Sequence, residues 1–374
     1  MKTTFLLVIS ILVLHSCNSK NSFQAELPFN IYLDKNINNI GSAQMSSLGR
    51  HIEYVPLETD TASLLSRIAN LAITDSFIFA SDGTRLIKFS IDGSFIGKVG
   101  SEGRGPGQYT NLSSLQADNE KQELYVLAMR QVLVFGFDCK LKRTFNIDFP
   151  VRQFLLEGED KIVFHPINLP VPPDNTYSLY ISDRSGNILE NIVNDLARVN
   201  KGMVIQSSPM YIYEGSLHFM EFGTDTMFIY KSSTREPYAV FHLGDLKLPP
   251  DPTIEEAPSA KGIWINDSKE TDEFLLFSYW EGLSGGGKKC IYEKRTSAIT
   301  VLKENDFIND LDGGLNFWPN RILPDKTLVD FEEAITFINH LKDQSAKGTL
   351  IDEKLKELLN KIDENSNPVL VFLR

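Results

Sequence analysis

The run Ile87-Lys88-Phe89-Ser90-Ile91-Asp92-Gly93-Ser94-Phe95-Ile96-Gly97-Lys98-Val99 decides the fold of this chain. Apolar and polar residues alternate before Asp92-Gly93 and return after it, and a period of two is typical of half-buried β-strands. An Asp-Gly pair between two such strands is a strong signal for a tight hairpin turn. The stretch therefore predicts an antiparallel β-hairpin.

The same unit returns along the chain at a regular distance. Phe135 lies 46 positions after Phe89, and Tyr180 lies a further 45 positions on. A repeat of roughly 40 to 50 residues with about four short strands is typical of a β-propeller blade. A β-sandwich, the alternative all-β fold, would have strands without this period. The further copies are 132–139 with 141–147, 177–183, 227–230 with 238–243, and 290–292 with 298–302.

A sixth blade needs both ends of the body. The segments 314–318 and 326–330 begin it but supply too few strands, and the runs 51–57 and 367–374 are available to complete it. Pairing of these two runs would close the ring without an exposed sheet edge. The sequence therefore predicts an all-β, six-bladed β-propeller over residues 50–374, built as one domain.

One passage near the chain end has helical periodicity. Its apolar residues keep a spacing close to 3.6, and Thr349 and Asp352 are placed to cap the second helix. We predict two helices inserted into the last blade over residues 331–363. Their apolar stripes either pack on the propeller or bind a partner. The two stripes are Phe331, Ala334, Ile335, Ile338 and Leu341, and then Leu355, Leu358, Leu359 and Ile362.

The first residues form an export signal rather than part of the fold. Lys2 precedes an apolar run at 5–14, whose ten residues are about half of the ~20 that span a bilayer. The following Leu14-His15-Ser16-Cys17 resembles the lipobox of bacterial lipoproteins. The resemblance implies cleavage of residues 1–16, lipidation of Cys17 and an outer-membrane location with an undecided face. An ordinary secretion signal is the alternative, and residues 17–49 are expected to form a tether and lead-in.

Charge and cysteine content limit the possible partners. Without Lys2 the chain carries 36 basic and 49 acidic residues, a formal charge of −13. Nucleic acid is not an expected partner, because phosphate binding needs a basic patch. Cys139 and Cys290 are far apart in sequence, so they imply no disulfide framework, although pairing between them stays open. The oligomeric state also stays open.

The segment 100–109, Gly-Ser-Glu-Gly-Arg-Gly-Pro-Gly-Gln-Tyr, follows the first hairpin directly. Its glycines and proline permit a kinked crossing between blades, and its amides could instead cradle an anion. The segment resembles the interblade loop of NHL-type propellers. Together with the runs 54–59, 91–93 and 367–370, it resembles the six-bladed β-propeller lipoproteins of Gram-negative bacteria. Arg104 and Tyr109 are candidate ligand-binding residues on this loop.

Common catalytic signatures are absent from the sequence. Propeller enzymes can nevertheless assemble a site from several inner strands, so a metal-dependent hydrolase or lyase is the alternative function. His165 and His218 are the candidate metal ligands, although a hydrogen-bonded histidine is the simpler interpretation of each. The sequence identifies no cofactor.

Aromatic residues offer a second way to bind a ligand. Trp280 precedes a glycine-rich hairpin tip, where an indole could stack on a sugar or a peptide or pack between blades. With Arg104 and Tyr109 it completes the set of candidate binding residues. We therefore expect a binding or scaffold module of the cell envelope, held to the membrane only by a lipid anchor, with a protein or a glycan as partner.

Overall fold

The computed structural model describes residues 26–167, 177–194, 208–231, 234–248, 262–282, 286–348 and 352–374. Cys17, the signal segment and Thr349 lie outside these ranges. The expectations for these residues therefore remain sequence predictions.

Six four-stranded antiparallel sheets follow one another, and the prediction of a six-bladed propeller is confirmed. Blade one contains β4 to β7, blade two β10 to β13, and blade three β14 to β17. The strands of blade one are Asn70–Ile73, Phe77–Ser81, Leu86–Ser90 and Phe95–Lys98. Those of blade two are Leu112–Asp118, Glu123–Ala128, Gln131–Gly136 and Leu141–Asn146. Those of blade three are Val151–Glu157, Lys161–Pro166, Tyr177–Asp183 and Ile188–Val193.

Blade four contains β18 to β21, blade five β22 to β25, and blade six β26, β27, β28 and β3. The strands of blade four are Met210–Tyr213, Ser216–Phe219, Thr226–Lys231 and Thr234–Phe241. Those of blade five are Ile263–Glu270, Phe274–Glu281, Gly287–Glu293 and Ala298–Leu302. Those of blade six are Arg321–Ile322, Leu328–Glu332, Val369–Leu373 and Ile52–Pro56. Two short strands, β8 (Ser101–Glu102) and β9 (Gln108–Tyr109), lie between blades one and two.

The first hairpin has the predicted form. Asp92-Gly93 connects β6 to β7, and Ser94 N donates to Asp92 Oδ1 at 3.1 Å. Gly93 has φ +90°, and a Cβ there would lie 2.3 Å from Pro56 O. Glycine is thus required both for the left-handed backbone and for the close approach of strand β3.

The core lies between the blades rather than at one centre. Each pair of neighbouring blades encloses its own apolar cluster. Phe89 and Phe135, the repeat anchors of blades one and two, are fully buried in two of these clusters. The interface of blades six and one combines Val55 and Leu370 with Leu71. An apolar layer is therefore continuous around the ring.

Both ends of the body meet in blade six, as predicted. Strand β28 pairs with β3 in antiparallel register, with Val369 opposite Pro56 and Leu373 opposite Ile52. Fully buried Asn367 fixes the approach to this strand. Its Nδ2 donates to Glu58 O at 2.8 Å, and its Oδ1 accepts from Leu65 N at 2.8 Å. The ring is closed by backbone pairing between the head and the tail of the polypeptide.

Part of the expected N-terminal lead-in belongs to the sheets, which differs from the sequence prediction. β1 (Phe29–Ile31) pairs in parallel with β21, and β2 (Ile40–Gly41) pairs in parallel with β25. A four-residue helix, α1 (Leu33–Asn36), connects them. Each strand covers the outer edge of a blade, which protects that edge from pairing with other chains.

The late helices are α2 (Ala334–Ala346) and α3 (Glu353–Leu359). Phe331 was expected at the start of the first helix, but it lies in strand β27 opposite Leu370, where cross-strand pairing overrides the helical spacing. Asp352 caps α3, with Oδ1 accepting from Lys354 N at 2.9 Å. In the described ranges no helix has the length and apolar content to span a bilayer. The helices bury Phe337, Leu341, Leu355 and Leu358 against blade six.

Candidate functional site at the channel mouth

The first strand of each blade lines the central channel. Contacts between neighbouring blades run from β4 to β10, β14, β18, β22 and β26, which places these six strands on the inside of the ring. The loops that connect one blade to the next enter at the start of these strands. We call this end of the channel the mouth. The turns between the second and third strands of each blade reach the same end.

Three inner strands carry a β-bulge at their mouth end. The extra residue is Ser113 in blade two, Arg152 in blade three and Asn266 in blade five. Ser113 and Arg152 are exposed and Asn266 is half-buried. A bulge bends its strand and re-aims a side chain, and bulges are common beside binding sites. The repeat thus presents three polar side chains at equivalent positions around the mouth.

Trp280 belongs to this group. It is half-buried in β23 opposite Trp264, and the two ring centroids are 6.2 Å apart. In the amide orientation that satisfies both of its polar atoms, Asn266 accepts from Trp280 Nε1 at 3.2 Å. The structure therefore brings Trp280 together with a bulge residue.

The glycine-rich loop places its two candidate residues in different surroundings. β8 and β9 pair in parallel within it. Tyr109 is buried and its hydroxyl donates to Val99 O at 2.7 Å, while burial raises its pKa to about 12. Arg104 is exposed at the loop surface. Tyr109 is thus a packing residue of the loop, and Arg104 keeps a surface on which a ligand could bind.

The loop amides do not form an open anion cradle. Gly103 N donates to Tyr109 O at 3.0 Å, and Gly105 N donates to Gln108 Oε1 at 2.8 Å. Gly100, Gly103 and Gly107 all have positive φ. The glycines therefore serve the tight chain path.

His165 is buried in β15 at the interface of blades three and four. Its ring centroid is 5.2 Å from that of Phe219, and neither ring nitrogen has a hydrogen-bond partner among the described residues. Burial, with a smaller contribution from Arg152, lowers its pKa to about 4. This imidazole is neutral at pH 7.

His218 is buried on the other side of blade four. Its ring stacks on Tyr211 with centroids 5.0 Å apart, and its Nδ1 lies 3.1 Å from Ser216 O. Burial lowers its pKa to about 4.

Strand β19 separates the two histidines. Successive strand residues point to opposite faces; Phe219 faces His165, so His218 faces away from it. The sequence named both histidines as candidate metal ligands without fixing their mutual geometry, and the strand alternation turns His218 away from His165. Within the described part of the chain, no three His, Cys, Asp or Glu side chains form a metal-binding group. Cys139 and Cys290 are free thiols.

A buried polar cluster between blades four and five was not found from the sequence. Lys294 Nζ lies 2.6 Å from Glu270 Oε1, and both side chains are almost fully buried. Tyr211 OH donates to Glu270 Oε2 at 2.8 Å, and Tyr238 OH also donates to this carboxylate. Burial raises the pKa of Glu270. We call Glu270, Lys294, Tyr211 and Tyr238 the Glu270 cluster. It lies at the opposite end of β22 from the mouth, so we assign it to blade packing.

Comparison with family models gives one match that covers most of the chain. The family model described as "Domain of unknown function (DUF4934)" matches residues 28–374. No curated protein matches the sequence.

Three solved structures illustrate what the chain is similar to. A crystal structure of a protein from Bacteroides fragilis, provisionally described as exported, superposes with a TM-score of 0.71 at 16% identity, covering 92% of this chain and 99% of that one. BamB from Moraxella catarrhalis superposes with a TM-score of 0.43 at 9% identity, covering 65% of this chain and 66% of that one. The extracellular domain of a provisionally described one-component system from B. thetaiotaomicron superposes with a TM-score of 0.42 at 15% identity. The match covers 74% of this chain and 32% of that one. At these identities the likeness to the first structure shows the fold alone.

Proposed function

We propose that this chain, which belongs to the DUF4934 family, is a binding module of the cell envelope that holds a protein or glycan ligand at the channel mouth. The observation that carries the proposal is the set of three equivalent bulges, which place Ser113, Arg152 and Asn266 at the mouth ends of their inner strands. Polar groups on rigid strands around a concave opening are the usual arrangement of a binding site.

Trp280 favours a ligand with a flat apolar face. Its indole is half-buried, and its N–H is held by Asn266. A partly exposed indole in a fixed orientation offers contact area at little entropic cost. Sugar rings and aromatic peptide side chains both fit this surface. Arg104, on the loop between blades one and two, would add a charged contact.

The proposed location is the outer membrane, with Cys17 as the lipid-carrying residue. The supporting observation is the apolar run 5–14 followed by Leu14-His15-Ser16-Cys17. Acyl chains on one cysteine anchor a protein without a membrane-spanning segment. The similarity to NHL-type lipoprotein propellers is consistent with this placement.

Cys17→Ala is expected to release the protein from the membrane fraction and to leave the signal uncleaved. Membrane fractionation of cells, followed by mass measurement of the isolated chain, checks this. Lys20→Ala in the same segment should behave as wild type. Unchanged membrane retention and unchanged processing of Cys17→Ala would contradict the anchor.

Trp280→Ala is expected to weaken ligand binding about tenfold or more, because a central aromatic contact carries a large share of binding energy. The measurement uses residues 18–374, immobilised and exposed to a glycan array and to a detergent extract of envelope proteins. Binding is then titrated for the strongest partner.

Tyr32→Ala is the matched control. Tyr32 is 41% exposed on the outer rim, where it stacks on His242 with centroids 4.3 Å apart. The control should bind within about twofold of wild type. Equal affinity of Trp280→Ala and wild type, or a loss confined to Tyr32→Ala, would exclude the mouth as the binding surface.

A further inference from the structure

Arg321 lies on β26, the inner strand of blade six, opposite Val329. The residue keeps some exposed surface, but its guanidinium lies deep in the fold. Nε is shielded from solvent and has no hydrogen-bond partner among the described residues. None of the ion pairs among these residues includes Arg321. A cation on the channel wall is therefore left uncompensated.

Other deep arginines of this fold are paired. Arg184 Nη2 lies 3.5 Å from Asp118 Oδ2, and Arg143 binds Glu123 at 2.8 and 2.9 Å. Burying a charge without a partner is costly, so proteins normally supply a counter-charge or a ligand. Burial lowers the pKa of Arg321 to about 10, which leaves the group charged at pH 7.

The neighbouring inner strand carries a cation at the same level. Lys269 is the second residue from the hairpin end of β22, and Arg321 has the same place in β26. Lys269 is paired with Asp267. Adjacent inner strands thus each carry a cation at one level, and Asp267 compensates Lys269, whereas no described residue compensates Arg321.

We propose that Arg321 binds an oxyanion group of a ligand that enters the central channel. A guanidinium presents a planar fork that matches the two oxygens of a carboxylate, phosphate or sulfate. Because Arg321 lies near the hairpin end of β26, at the end of the channel opposite the mouth, this binding position goes beyond the proposed function, and its ligand carries an acidic group. An acidic sugar, a peptide carboxylate and free phosphate share this chemistry.

The test measures thermal unfolding of the 18–374 chain in sodium phosphate, sulfate, acetate and galacturonate, each against sodium chloride at equal ionic strength. Wild type should show a saturable rise in Tm with at least one oxyanion. Arg321→Met should lose most of this rise. Arg295→Met, at a 76% exposed side chain in blade five, should keep it. A preference for acetate and galacturonate would indicate a carboxylate ligand, and a preference for phosphate would indicate a phosphate group.

If Arg321→Met proves too unstable to purify, Arg321→Lys takes its place. This variant keeps the charge and removes the fork, so it should bind the oxyanion about tenfold more weakly than wild type. An equal rise in wild type and the Arg321 variants would overturn the inference, as would the lack of any effect beyond that of chloride. In either case a continued loss of ligand in Trp280→Ala would leave the proposed function standing.

Discussion

Leu370→Asp is expected to abolish folding of the chain. Leu370 is fully buried in the cluster that joins blades six and one, opposite Val55. Loss of such a side chain costs about 2–5 kcal/mol, and an unpaired buried carboxylate adds several kcal/mol more. Their sum approaches the roughly 5–15 kcal/mol that stabilises a typical domain. Near-ultraviolet circular dichroism and urea unfolding report the result.

Two further variants keep this prediction testable. Leu189→Asp makes the same chemical change at a residue that is 59% exposed on the outer strand of blade three, and it should change stability by less than about 0.5 kcal/mol. Leu370→Ala should fold but lose about 2–5 kcal/mol. A loss below about 1 kcal/mol in Leu370→Ala would show that the interface of blades six and one is not packed as described.

Lys294→Met is expected to lower the free energy of unfolding by about 3–5 kcal/mol, because it leaves the Glu270 carboxylate buried without its counter-ion. Lys294 Nζ contacts Glu270 Oε1 and also donates to Thr271 O at 2.6 Å. Adding Glu270→Gln should recover most of the loss, since a neutral amide can accept from one tyrosine hydroxyl through its oxygen and donate to the other through its NH2 group. Urea titration at pH 7 of the single and double variants measures this coupling.

Lys326→Met is the control for this cycle. Lys326 pairs with Asp272, but both side chains are more than half exposed, so its replacement should cost about 1 kcal/mol or less. If Lys294→Met were no more destabilising than Lys326→Met, the Glu270 cluster would not be the buried ion pair that the geometry indicates.

The ring could be predicted because its signals are local or periodic. The Asp92-Gly93 hairpin, the anchors Phe89 and Phe135, and the β-type run at the chain end each follow from residue alternation and turn chemistry. Closure then followed from counting strands, because a propeller without its last pairing leaves open edges. The pairing of β28 with β3 confirms this reasoning.

The remaining features depend on contacts between distant segments. β1 and β2 have three and two residues, too few for a periodic signal, and each pairs with a strand more than 200 positions away. His165 and His218 looked equivalent in sequence, but β19 places them on opposite faces. Lys294 supplies a counter-charge to Glu270, whereas no described residue supplies one to Arg321, and sequence spacing does not reveal this difference.

The bulges link the architecture to the proposed function. Ser113, Arg152 and Asn266 fall at the mouth because each repeat begins its inner strand there. A ring that did not close would not hold these residues around one opening. The binding proposal and the oxyanion inference therefore both depend on closure.

Amide hydrogen exchange in residues 50–57 and 368–374 tests closure most directly. In the closed ring His51 N and Arg374 O are 2.9 Å apart, and the pairing continues through Glu53 and Val55. The amides of Glu53 and Val55 should therefore exchange as slowly as those of β11 in the middle of blade two. Exchange of these two amides at the rate of an unstructured peptide, with β11 still protected, would show that head and tail do not pair.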